Sequence, residues 1–230
     1  MTHWITLIKF FSLTYYIPPA LLIICLATVF IGYFNKRKFK SLKFLPIYAI
    51  ASFLQIIITF ICISYRTSPF SVKVNNYTIF LFVIIEFVIF YNLTLQWIKS
   101  SYLKKSIYFI GSLFIAFSIY SLFNIDFSEN IPDSFYITDS ICLVIPCLVY
   151  FYEIFTTSPL ISLSSQPSFW IIIGFSFMAI CTLPFYLLEP YLYENIVNFY
   201  DQVYTLNYIF YCLLFIFISK AFLCRPVTAK

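Results

Sequence analysis

Seven long apolar runs alternate with short polar gaps along this chain, and nearly all of its charge lies in the gaps. The runs cover roughly residues 10–34, 45–65, 76–98, 106–123, 135–157, 169–188 and 202–223. Each is long enough, at about 1.5 Å per helical residue, to cross a hydrocarbon core of about 30 Å. In that solvent every backbone N–H and C=O must be satisfied internally, which leaves helices or a closed barrel. Barrel strands alternate lipid-facing and lumen-facing residues, whereas these runs are continuously apolar. The pattern therefore predicts an all-α fold: a polytopic helical membrane protein with seven transmembrane helices, forming one domain over residues 1–230.

Polar residues inside the runs modify this plain picture. In the second run Tyr48, Ser52, Gln55, Thr59 and Cys62 recur at intervals of four and three, which is one face of a helix. In lipid such a face turns inward. Glu86 in the third run lies ten residues past Asn76, about 15 Å along the helix and close to mid-depth. A carboxyl there is expected neutral unless it is paired. It serves a function or ties two helices by a hydrogen bond, and Gln55 is a candidate partner. Asp139 and Glu153 share the fifth run, 14 residues and about 21 Å apart on nearly one face, with Pro146 halfway between. Each is either an intramembrane group or a side chain that reaches water at an interface. In the seventh run Tyr204, Asn207, Tyr208 and Tyr211 form a second polar face. The two faces either line a cavity or make ordinary interhelical hydrogen bonds.

Charge supplies the orientation. Lys36, Arg37, Lys38, Lys40 and Lys43 fill the first gap, Lys99, Lys104 and Lys105 the third, and Lys220, Arg225 and Lys230 the end of the chain. Lys9, Arg66 and Lys73 alone belong to the other side. Eleven against three predicts an amino end outside and a carboxyl end in the cytoplasm. Asp126, Glu129, Asp133, Glu189, Glu194 and Asp201 all fall in the gaps assigned outside. The net charge of +5 is thus used for topology rather than for nucleic acid, and the first loop is also a candidate contact for anionic lipid or a cytoplasmic partner. With 62% hydrophobic and 10% charged residues, the composition leaves no room for a separate soluble domain. The amino end, with one basic residue and no small-residue cleavage motif, reads as the first span rather than a cleaved signal.

Aromatic residues near the run ends, Tyr15, Tyr16, Tyr65, Tyr77, Trp97, Trp170, Tyr186 and Tyr204, suit an interfacial belt. Three glycines form no GxxxG, so glycine-mediated helix contact is not the expected packing mode. Pro146 and Pro184 are expected to kink their helices, and Pro18 and Pro19 to bend the first.

Several chemistries lack their residues. Seven cysteines without a CxxC pair, and a single histidine, His3, argue against a disulfide framework, a zinc site and a Ser/His/Asp triad. No HExxH or GxSxG is present, and Lys220 sits at the end of the last run, too shallow to hold retinal. No cofactor or metal is expected. Asn76-Tyr77-Thr78 matches a glycosylation sequon, a triplet common by chance.

The stretches Tyr152-Glu153-Ile154-Phe155 and Gln166-Pro167-Ser168-Phe169-Trp170-Ile171 carry a resemblance, together with Thr78 to Glu86 and Leu206 to Tyr211. They resemble motifs of uncharacterised seven-helix inner-membrane proteins of Bacteroidota, with Gln166 where those have asparagine. The resemblance spans the whole topology. It implies a multi-pass protein of a bacterial inner (cytoplasmic) membrane that looks like the membrane-sensor part of a signalling system, without an established ligand or activity.

Three function classes follow. A sensory or receptor-like module suits the amino-out topology, a cavity opening to the outside and the absence of a catalytic set. It would signal through a partner protein, since only about seven residues follow the last span. A small transporter or channel is the alternative, although matched Pro-Gln motifs and repeated halves are missing. A lipid-modifying enzyme using Glu86, Asp139 or Glu153 needs two of these groups within hydrogen-bond reach. A structural subunit of a membrane complex is the remaining possibility.

Overall fold

The computed structural model describes residues 2–35, 42, 44–64, 69–129, 131–157, 163–195 and 197–224. Among them are seven α-helices and no strand: α1 (Thr2–Asn35), α2 (Leu45–Ser64), α3 (Pro69–Trp97), α4 (Ser101–Asn124), α5 (Asp133–Thr157), α6 (Pro167–Asn195) and α7 (Val197–Leu223). Six of them, α2 to α7, are long and apolar enough to cross a membrane. In α1 the apolar segment among the described residues is Pro19–Asn35. Helix α3 starts well before its apolar run because Pro69 opens it. Proline at the first helical position gives up an N–H that would have no partner there, and Pro167 opens α6 in the same way.

The helices form a ring in which α1 packs on α2 and α7, α2 on α3, α3 on α5, α5 on α6, and α6 on α7. Helix α4 lies outside this ring, against α3 and α5. Half of the α3 and α6 spans is buried, which marks these two as central, while α4 is peripheral in packing on α3 and α5. Outward faces are apolar, with Phe34, Leu54, Phe123, Leu148 and Phe155 exposed. So much contiguous apolar surface suits hydrocarbon and would be a liability in water.

The interior is packed with rings. Phe80 and Phe135 stack with centroids 4.7 Å apart, Phe87 and Phe114 are 4.1 Å apart, and Phe90 and Phe175 are 4.3 Å apart. Few polar ties supplement them. The Thr28 hydroxyl lies 2.8 Å from that of Ser219 and joins α1 to α7, and Tyr150 lies 2.8 Å from Ser168 and joins α5 to α6.

The expectation about glycine needs correction. There is no GxxxG, yet each glycine sits at a close helix crossing. A Cβ on Gly32 would meet the Phe222 ring at 2.9 Å, one on Gly111 the Tyr91 ring at 2.9 Å, and one on Gly174 the Leu214 and Phe217 side chains at 3.0 Å. The glycines make room for side chains, mostly bulky rings, rather than for a facing backbone.

Pro146 acts as its chemistry demands. Having no N–H, it cannot bond the carbonyl of Cys142 four residues earlier. Tyr91 on α3 donates its hydroxyl to that carbonyl at 2.8 Å. A buried carbonyl released by proline is thereby satisfied from a neighbouring helix.

Candidate functional site

Glu86 projects from the middle of α3 and is 1% exposed. Its Oε1 accepts a hydrogen bond of 2.7 Å from the hydroxyl of Tyr48, near the start of α2. Tyr48 is fully buried, its ring held among Phe82, Phe175 and Phe215 at centroid distances of 6.0, 5.7 and 5.9 Å. Aromatic packing from α3, α6 and α7 thus fixes the hydroxyl that meets the carboxyl.

Gln55 is not the partner of Glu86. Its amide donates to Thr59 at 3.1 Å, and Thr59 donates to Asn75 at 3.0 Å. Tyr48 opposite Glu86 and Thr59 opposite Asn75 define one antiparallel register of α2 and α3. That register sets Gln55 opposite Ile79, about 10 Å along the axis from Glu86.

A second polar group lies between α5, α6 and α7, towards the end of the bundle where α4 leads into α5. Asp139 on α5 is 7% exposed, and its Oδ1 is buried without a hydrogen-bond partner. Asn207 on α7 donates its amide nitrogen to the Tyr186 hydroxyl of α6 at 3.3 Å, while its Oδ1 is also buried and unpartnered. The Tyr186 ring stacks on Tyr136 of α5, centroids 4.8 Å apart, and Tyr136 is one turn before Asp139. Tyr211, one turn beyond Asn207, lies within Coulombic reach of Glu86, Asp139, Tyr186 and Tyr136. Asp139 and Glu86 are within the same reach of each other. One polar interior therefore joins α2, α3, α5, α6 and α7, and among the described residues no lysine or arginine is buried in it. Each unpartnered buried acceptor costs about 1–3 kcal/mol, so two of them in one bundle need a reason.

Glu153 has a different environment. Its Oε1 accepts from the backbone N–H groups of Lys99 and Ser100, each at 2.8 Å. These residues connect α3 to α4, and Ser100 caps α4 with its side chain accepting from the Leu103 N–H. Glu153, 8% exposed, thus pins one end of the bundle and is kept apart from the Glu86 interior.

The remaining expectations divide. Lys36, Arg37, Lys38, Lys40 and Lys43 lie outside the described residues. Asn76 is buried, and its amide nitrogen donates to the carbonyls of Phe127 at 3.2 Å and Glu129 at 2.6 Å. The atom a glycan would need is thus engaged in holding the α4–α5 connection. Tyr186, assigned to the interfacial belt by its position, turns into the bundle. Trp170 lies near the start of α6, its indole N–H donating to the Ser164 carbonyl at 2.8 Å with the Lys220 ammonium 5.8 Å from its ring. All seven cysteines are free, and no group of three or more His, Cys, Asp or Glu among the described residues is arranged to hold a metal.

Sequence reasoning named Glu86, Asp139 and Asn207 but missed Tyr136 and Tyr186, which complete the walls. Tyr136 carried a usable signal, three residues before Asp139 and hence on its face. Comparison with known proteins finds no match: no family model, curated protein or solved structure is similar to this chain.

Proposed function

We propose that this chain is a receptor-like membrane module that binds a small ligand in its polar interior and acts through a partner protein. One observation carries the reading: Asp139 and Asn207 hold buried acceptor oxygens without partners, in a setting where such groups are costly unless something is bound to them. Seven spans with the amino end outside would open this interior to the outer side and leave the basic stretch from Lys36 to Lys43 for a cytoplasmic partner. The resemblance to seven-helix Bacteroidota proteins is consistent with a bacterial inner membrane.

A second reading, a proton-coupled transporter, is favoured by the nearness of two buried carboxyls, Glu86 and Asp139. Proteoliposomes decide between the two. A receptor binds and moves nothing, so proton and solute flux stay at the level of empty vesicles. Flux lost in Glu86→Gln overturns the receptor reading. Accessibility of single cysteines at position 38 and near the amino end tests the orientation, and labelling of both from the same side rejects it.

A further inference from the structure

The two unpartnered groups of the interior, Asp139 Oδ1 and Asn207 Oδ1, are both acceptors. What they lack is a donor. Buried beside Glu86, Asp139 can hold negative charge only when a cation pairs with it, and no buried lysine or arginine among the described residues supplies one. The walls are aromatic: the stacked pair Tyr136 and Tyr186, with Tyr211 one turn from Asn207. An electron-rich ring face attracts a cation within about 6 Å, and its body accepts an apolar chain. A bare metal ion fits poorly, since hard cations take six or more oxygens and two stand free here. A hydroxyl compound would not supply the charge.

We propose that the polar side chains Asp139 and Asn207, set among α5, α6 and α7, bind a small organic amine in its ammonium form. Asp139 accepts from the ammonium and balances its charge, Asn207 accepts a second N–H, and the tyrosine rings cover the carbon body. The inference rests on the receptor-like reading and names its ligand class.

The test uses the full chain in lipid nanodiscs, with methylamine, butylamine and phenethylamine as chloride salts. Butanol and 2-phenylethanol serve as neutral counterparts, and sodium chloride as the ion. Thermal unfolding and titration calorimetry are read for each. At least one amine should bind saturably while its neutral counterpart does not. Asp139→Asn should weaken that binding at least tenfold with unchanged size-exclusion behaviour, and Asn207→Asp should tighten it about threefold. Because Asn207→Asp adds an acceptor rather than removing one, it keeps the proposal open to failure even if Asp139→Asn does not fold.

Absence of Asp139-dependent binding across the amines overturns the proposal. Equal binding of 2-phenylethanol, weakened by Asp139→Asn, overturns the amine and leaves the receptor reading standing. Saturable stabilisation by sodium alone, lost in Asp139→Asn, overturns it in favour of an ion site. Amine flux in proteoliposomes removes the receptor reading while the ligand class survives.

Discussion

Two ends of α5 treat a buried carboxyl in opposite ways. At Glu153 one oxygen receives two backbone N–H groups and the loop they belong to is fixed. At Asp139, 14 residues earlier, one oxygen receives nothing, and Glu86, the carboxyl in its electrostatic reach, accepts a tyrosine hydroxyl. The contrast shows that burial alone says little about purpose. A carboxyl whose acceptors are filled by backbone is a structural part, because its removal leaves N–H groups exposed to a poor solvent. A carboxyl left short of donors is held at a cost by the rest of the fold, as ligand sites commonly are.

The sharpest way to break this comparison is Glu153→Ala. It strands two N–H groups and should cost about 2–4 kcal/mol, read as a shifted unfolding curve in mixed micelles. Glu153→Gln, which keeps an acceptor, should recover more than half of that loss. If Glu153→Ala is silent, the structural assignment of this end fails. Next comes Tyr91→Phe, which returns the Cys142 carbonyl to its unpartnered state and should cost about 1 kcal/mol. Tyr48→Phe should cost a similar amount, about 1 kcal/mol, since Glu86 loses its donor while the ring packing stays. Asp139→Leu has the opposite sign. It removes an unsatisfied acceptor and should stabilise the empty protein by up to about 1 kcal/mol while abolishing ligand binding. A loss of stability there would mean that Asp139 has a structural role after all.

The smallest effect lies outside the bundle. Asp126, just past α4, accepts from the Ser128 N–H at 2.9 Å, and this bond holds its carboxyl below the ordinary value. A carboxyl with a depressed pKa contributes stability that is present above its unfolded value and lost as pH falls through the folded one. Asp126 is exposed, so Asp126→Asn should lower neutral-pH stability only slightly, match the parent once the carboxyl is protonated, and so flatten the acid limb of a pH series.

The architecture was largely legible because hydropathy is a local property: the apolar runs at 45–65, 106–123 and 135–157 reappear as α2, α4 and α5 with ends shifted by a few residues. The polar candidates were legible for the same reason, since Glu86 and Asp139 stand out against their neighbours. Partners were not. Gln55 and Glu86 looked level only when depth was counted from uncertain span ends, and the true register follows from how α2 and α3 pack. Tyr186 was hidden by its position, since a tyrosine near a helix end reads as interfacial until α5 and α7 are seen beside it. The roles of Gly32, Gly111 and Gly174 were equally invisible, because a small residue betrays its purpose only through the ring it accommodates.

Tyr91 has a reach that its place in α3 conceals. Its hydroxyl replaces the rung that Pro146 deletes from α5, and its ring rests against Gly111 of α4. Between the unpartnered acceptor at Asp139 and the anchored one at Glu153, α5 therefore lacks one backbone rung, and one phenol stands in for it. Among the described residues α4 supplies no side chain to the polar interior, yet its Gly111 backs the ring that stands in for the rung. A displacement of α4 would therefore reach the Pro146 break of α5 through Tyr91, although α4 and that break share no sequence.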